Sequence, residues 1–132
     1  MITLDTSAVF ALLNRRDPAH AQVRQIMEDD PGPYLLPAGI LGEATYLIED
    51  RLGARVLDAF LNDIETGALM FDCGESDWPR IRELVVRYAN LPLGAADASV
   101  VACAERTGGV VLTLDQRDFS IVSKEGSIRA LP

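Results

Sequence analysis

Four acids end or interrupt otherwise apolar stretches of the chain. Asp5 follows Ile2-Thr3-Leu4, Glu43 lies within Gly39–Ile48, Asp97 within Ala95–Ala104, and Asp115 follows Leu112-Thr113-Leu114. An unpaired carboxylate in apolar surroundings costs on the order of several kcal/mol, so each acid needs donors or a cation. The sequence offers few side-chain cations beside them: His20 is the only histidine and Lys124 the only lysine. Oxygen-only ligands suit Mg²⁺ or Mn²⁺, and the absence of His and paired Cys ligands disfavours zinc. A single histidine also excludes a histidine-pair ribonuclease mechanism and HExxH zinc chemistry.

Each acid also has a local alternative. Asp5 would serve as the N-cap of a following helix, Asp115 as a turn residue, Asp97 as a cap near a helix start, and Glu43 as a solvated helix position. A divalent-metal site accounts for all four together more economically than four separate local roles.

The elements that must position these acids alternate between short apolar runs and longer amphipathic segments. Strands are expected at Ile2–Leu4, Tyr34–Leu36, Leu69–Phe71 and Val110–Leu114, with a short fifth at Ile128–Leu131. Helices are expected from Thr6 to Asn14 and, capped by Asp17-Pro18, to Met27. Further helices run from Pro37 to Arg51, Ala54 to Thr66, Trp78 to Tyr88 with Ser76 or Asp77 as cap, and Ala95 to Thr107. Strands separated by helices imply crossovers. The expectation is an α/β fold: one domain over residues 1–132, with a parallel sheet of four or five strands and helices on both faces. In such sheets ligands sit beyond the carboxyl ends of the strands, where Asp5 and Asp115 fall. The helices carrying Asp97 and Glu43 are apolar enough to be largely buried.

Composition sets further bounds. The chain has 132 residues, 48% hydrophobic and 24% charged, which suffices for a core without a disulfide or zinc staple. Met1–Asp5 has no signal-peptide character, and no stretch reaches the roughly 18 apolar residues of a membrane span. Cys73 and Cys103 read as reduced, buried thiols in a cytoplasmic protein, and His20 as an ordinary residue at an exposed helix start. A net charge of −8 argues against a broad basic surface for nucleic acid. Arginine supplies 11 of the 12 basic residues. Arg15, Arg16, Arg51, Arg55, Arg80, Arg82, Arg87 and Arg117 are candidate phosphate contacts, Arg117 foremost because it follows Asp115 by two residues. The helices from Pro37 and Ala54, with Tyr46, Leu47 and Phe60, offer either core or partner surface.

The segments Ile2-Thr3-Leu4-Asp5-Thr6-Ser7-Ala8, Leu91-Pro92-Leu93-Gly94-Ala95-Ala96-Asp97-Ala98 and Leu112-Thr113-Leu114-Asp115-Gln116-Arg117-Asp118-Phe119, together with Glu43, resemble the PIN domain. The likeness is to the VapC-type toxin ribonucleases of bacterial toxin–antitoxin systems, and it spans essentially the whole chain. The resemblance implies an endoribonuclease that hydrolyses RNA phosphodiesters by metal-activated water, leaving a 3′-hydroxyl and a 5′-phosphate. It implies Asp5, Glu43, Asp97 and Asp115 as the acidic quartet. Asp5, Asp97 and Asp115 would hold one or two Mg²⁺ or Mn²⁺ ions, and Glu43 would ligate the second or orient water. Thr6, Ser7 and Thr113 become hydroxyl supports behind the carboxylates, and Asp118 a substitute for or neighbour of Asp115. Arg117, Arg15 and Arg16 are the RNA contacts expected. It further implies a cytoplasmic homodimer neutralised by a VapB-type antitoxin whose tail covers the acids.

Three rivals are weighed. A receiver-type signalling domain would use Asp72 as phospho-acceptor, but Asp5 is followed by Thr6 rather than a second acid, and Lys124 sits in a polar loop. A haloacid-type phosphatase needs an Asp where Ser7 stands. A PIN-like module that only binds RNA or a partner would show affinity without cleavage.

Overall fold

Short apolar runs form strands that need burial on both faces, as parallel sheets require. In the computed structural model, which describes Met1–Pro132, these are β1 (Ile2–Leu4), β2 (Tyr34–Pro37), β3 (Met70–Asp72), β4 (Val110–Leu112) and β5 (Arg129–Leu131). All neighbours pair in parallel, in the order β3-β2-β1-β4-β5. The α/β expectation holds, with five strands. The helices are α1 (Thr6–Leu13), α2 (His20–Asp29), α3 (Leu41–Leu52), α4 (Ala54–Glu65), α5 (Trp78–Arg87), α6 (Gly94–Arg106) and α7 (Gln116–Ser123). No helix is long and apolar enough to cross a membrane.

The chain moves outward from β1 through β2 to β3, then returns to place β4 and β5 on the other side of β1. Right-handed crossovers therefore put α1–α4 on one face and α5–α7 on the other. The order reverses beside β1, so the crevice expected at a switch point lies beyond the carboxyl ends of β1 and β4. Helix α6 packs across β1, β2 and β4 and buries a continuous run from Ala98 to Ala104. Its near-absence of large side chains lets it lie close to the sheet.

Several local expectations are corrected. Pro37 ends β2 instead of opening a helix; a 3-10 turn at Ala38–Ile40 precedes α3. Asp17 does not cap α2. Its Oδ1 accepts from the Ala19 N–H at 2.8 Å, making a turn one step before the helix begins at His20. His20 Nδ1 lies 2.8 Å from the Ala11 carbonyl and ties α2 to α1. Strand β4 stops at Leu112, and Gln116-Arg117-Asp118 is the first turn of α7, a helix not among those expected. Phe119 and Val122, three residues apart and fully buried, anchor that helix. Cys103 is buried, but Cys73 is exposed; both are free thiols.

Gly39 fixes how closely the 3-10 turn approaches α6. A Cβ there would lie 2.2 Å from Ser99 Oγ and 2.7 Å from Ser99 Cβ. Ser99 is buried and donates to the Ala96 carbonyl at 2.6 Å, so it has little room to retreat. Gly39→Ala should destabilise the protein by about 1–3 kcal/mol, as overpacking does. An unchanged denaturation midpoint would show that α6 moves aside freely.

Candidate active site

Asp5, Glu43, Asp97, Asp115 and Asp118 all occupy helix starts. Asp5 and Asp115 stand at the N-cap positions of α1 and α7, while Glu43, Asp97 and Asp118 lie in the first turns of α3, α6 and α7. Neither Asp5 nor Asp115 makes a side-chain capping bond, so capping does not explain them. Helix N-termini carry partial positive charge and unpaired N–H groups, which makes them tolerant of anions.

Asp5 is buried, and its Oδ2 accepts from Ser7 Oγ and Thr113 Oγ1, each at 2.9 Å. Those hydroxyls are themselves fixed: Ser7 Oγ accepts from the Leu114 N–H and Thr113 Oγ1 from the Asp115 N–H, both at 2.9 Å. The loop after β4 is thus clamped to the end of β1. Gln116 adds a bond from Nε2 to the Thr113 carbonyl at 2.9 Å, a support that nothing in the residue pattern had flagged. With Oδ2 saturated, Asp5 Oδ1 is left without a protein hydrogen bond. Thr6 is buried but makes no side-chain hydrogen bond.

Asp97, Asp115 and Asp118 each bring a carboxylate oxygen within 4.8 Å of the others. That is slightly more than twice the Mg²⁺–oxygen distance of about 2.1 Å, so small side-chain rotations would bring all three onto one ion. The close trio therefore includes Asp118, expected as a substitute for or neighbour of Asp115, and leaves Asp5 outside it. Asp5 nonetheless acts on the trio through its charge. Burial, then the charges of Asp5, Asp115, Asp118 and Glu43, push the Asp97 carboxyl up from its ordinary 3.8 to about 7. None of these five acids takes part in an ion pair with an Arg or Lys. The donor set is all oxygen, crowded and short of positive charge, and it fits a hard divalent cation.

Glu43 corrects one expectation: it is exposed, because α3 turns only Ala44 and Ile48 fully inward. It borders the carboxylates from the solvent side.

The arginines divide into engaged and free. Arg80 binds Glu83, Glu105 and Glu125, and Arg87 binds Glu83 and Glu125, which removes both from the candidate phosphate contacts. The Tyr88 hydroxyl, and after it these two arginines, hold Glu125 well below the carboxylate range, at about 2, and tie α5 to the end of α7. Arg106 clamps Asp72 and Asp77, which disposes of Asp72 as a free phospho-acceptor. Arg51 stacks on Phe10, its guanidinium 5.8 Å from the ring centroid. Arg15, Arg16, Arg55, Arg82 and Arg117 are exposed and make no ion pair. Arg117 shares the first turn of α7 with Asp118.

Residues 2–125 match the PIN domain family. Ribonuclease VapC26 of Mycobacterium tuberculosis is 30% identical over 128 residues, covering 96% of this chain and 95% of that protein. The crystal structure of VapC20 from the same organism, described as a sarcin–ricin loop cleaving toxin, has the same fold. Its TM-score is 0.81 at 24% identity, covering 92% of this chain and 95% of that one.

The raised Asp97 carboxyl has a stability consequence. Its folded pKa of about 7 lies above the ordinary 3.8, so its protonated form favours folding. That contribution is complete below pH ~3.8 and is lost as pH rises through ~7. Without divalent metal, Asp97→Asn should therefore melt at a higher temperature than the parent at pH 8, with the gap closing toward pH 4. A gap independent of pH would contradict the charge crowding.

Proposed function

The chain belongs to the PIN-domain family, among its VapC-type toxin ribonucleases, and from that premise we propose that it hydrolyses RNA phosphodiesters with Mg²⁺ or Mn²⁺ held by the carboxylates at the β1/β4 edge. The observation that carries this reading is the close trio of Asp97, Asp115 and Asp118, with the Asp97 carboxyl raised and no cation beside it. Asp5, Asp97 and Asp115 are the proposed ligands, and the position of Asp118 adds it to them. Bound there, the ion would supply Lewis acidity toward water and phosphate oxygen.

The chain's own residues divide the remaining work. Ser7 and Thr113 hold Asp5 Oδ2, which would leave Oδ1 for the ion. Glu43, exposed at the start of α3, would orient the attacking water or accept its proton. Arg117 supplies a guanidinium for a phosphate oxygen next to the acids, with Arg15 and Arg16 extending the contact after α1.

Two divalent ions would halve the formal charge of −8, so acidity and RNA binding are compatible. A cognate VapB-type antitoxin with a basic segment has the same acids to dock on. A homodimer is proposed through the outer faces of α3 and α4, where Tyr46 is 68% and Leu61 46% exposed. Phe60, read from sequence as possible partner surface, is fully buried and belongs to the core.

Single-stranded RNA should be cut in the presence of Mg²⁺ or Mn²⁺ and left intact in EDTA. Asp97→Asn should stay folded and lose about 100-fold or more of the rate, the scale of losing a main electrostatic contact in the transition state. Parental cleavage by that variant would sink the site assignment.

A further inference from the structure

An apolar cavity of about 260 Å³ lies on the opposite side of α6 from Asp97, and none of the five acids lines it. Its wall on α6 is the stripe Ala95, Ala96, Ser99 and Cys103, and Trp78 stands at its rim. At 100° per residue, Asp97 projects well away from that stripe, about one helix diameter or 10 Å across. The cavity opens beside Pro37 and Asp72, which end β2 and β3, so it shares the carboxyl edge of the sheet with the acids.

Trp78 at the rim and Arg82, on the neighbouring surface with Pro79 and Val86, are not engaged by the fold. Trp78, the only tryptophan, is 64% exposed at the first position of α5. Arg82 follows four residues later on the same helix face, exposed and without an ion pair, although Arg80 and Arg87 on that helix are fully engaged. A flat aromatic face beside a free guanidinium matches the two halves of a nucleotide, base and phosphate. The cavity's inner charge favours the same orientation: Asp72 and Asp77 together carry one more negative charge than Arg106 neutralises. That surplus repels a phosphate from the interior but leaves carboxylate lone pairs that accept from base amino groups.

We propose that this cavity, with Trp78 and Arg82, is a nucleobase subsite for an unstacked base of the RNA substrate, lying a few nucleotides along the strand from the scissile phosphate. The 10 Å across α6 corresponds to about three nucleotides at 3.4 Å per stacked step. The inference rests on the endoribonuclease reading and deepens it: the enzyme takes RNA with a splayed base, and this pocket contributes to choosing it.

The sole tryptophan makes the test direct. A short single-stranded RNA of mixed sequence, added to the full chain in EDTA, should quench the indole emission. With Mn²⁺ present, Trp78→Ala and Arg82→Gln should each raise KM about tenfold, the scale of one lost stack or phosphate contact. Their melting temperatures should stay unchanged, and kcat should fall far less than KM rises. Trp78→Phe, which keeps an aromatic face, should recover most of the KM. The proposal is overturned if the parent cuts RNA without quenching and both variants keep the parental KM. It is equally overturned if the variants lose only antitoxin affinity or self-association, since the pocket then serves a protein partner. If the parent cuts no RNA in Mn²⁺ yet RNA quenches Trp78, the pocket stands and the nuclease reading falls.

Discussion

Like-charge repulsion among the carboxylates beyond β1 and β4 has to be offset by the elements around them. Five acids share one edge, and no Arg or Lys pairs with any of them. Left to solvent, such a group would disperse or draw in cations from neighbouring helices. Here the backbone holds it in place. Each acid is seated at a helix start, where the macrodipole and free N–H groups offset part of the cost. Hydroxyls, which add no charge, fix Asp5. The positive side chains are kept elsewhere, in the Arg80–Arg87–Glu125 and Arg106–Asp72–Asp77 groups that brace α5, α6 and α7. The site is therefore an acidic cluster that the chain's own positive side chains leave unneutralised.

The topology makes that concentration possible. Strands of three or four residues leave little room for error at their ends, and reversal of strand order beside β1 opens the crevice there. Helix α6 can bring Asp97 to the crevice only because its small residues let it lie close on the sheet, with Gly39 against Ser99 setting the approach. Repulsion at the edge is balanced by burial beneath it, where β1 and the middle of α6 contribute fully covered apolar side chains.

Much of this was legible in the sequence. Acids at the ends of apolar runs marked Asp5, Asp97 and Asp115, and the alternation of runs and amphipathic segments marked the parallel sheet. What escaped was local. Helix α7 is absent from the expected elements because Asp115-Gln116-Arg117-Asp118 is polar throughout. Its signal was the Phe119–Val122 spacing behind an Asp cap, and eight residues give that pattern little length to emerge. Pro37 looked like a helix start because proline is favoured there, but it equally closes an extended strand. The exposure of Glu43 was hidden because Ile40, Leu41, Leu47 and Ile48 make its segment look uniformly apolar, while the fold buries only part of it. Which arginines are free depends on partners up to 45 residues away, such as Glu125 for Arg80, and sequence spacing does not reveal such pairings.

Whether the crowded carboxylates take up a divalent cation is read from the protons released as the metal binds. Titrating Mn²⁺ into the metal-free protein by calorimetry, in buffers of different ionisation enthalpy, gives the number released. With the Asp97 carboxyl at about 7, binding at about pH 6.5 should release most of one proton, and almost none above about pH 8.5. Mn²⁺ that fails to bind, or binds with no proton release at the lower pH, would contradict the account.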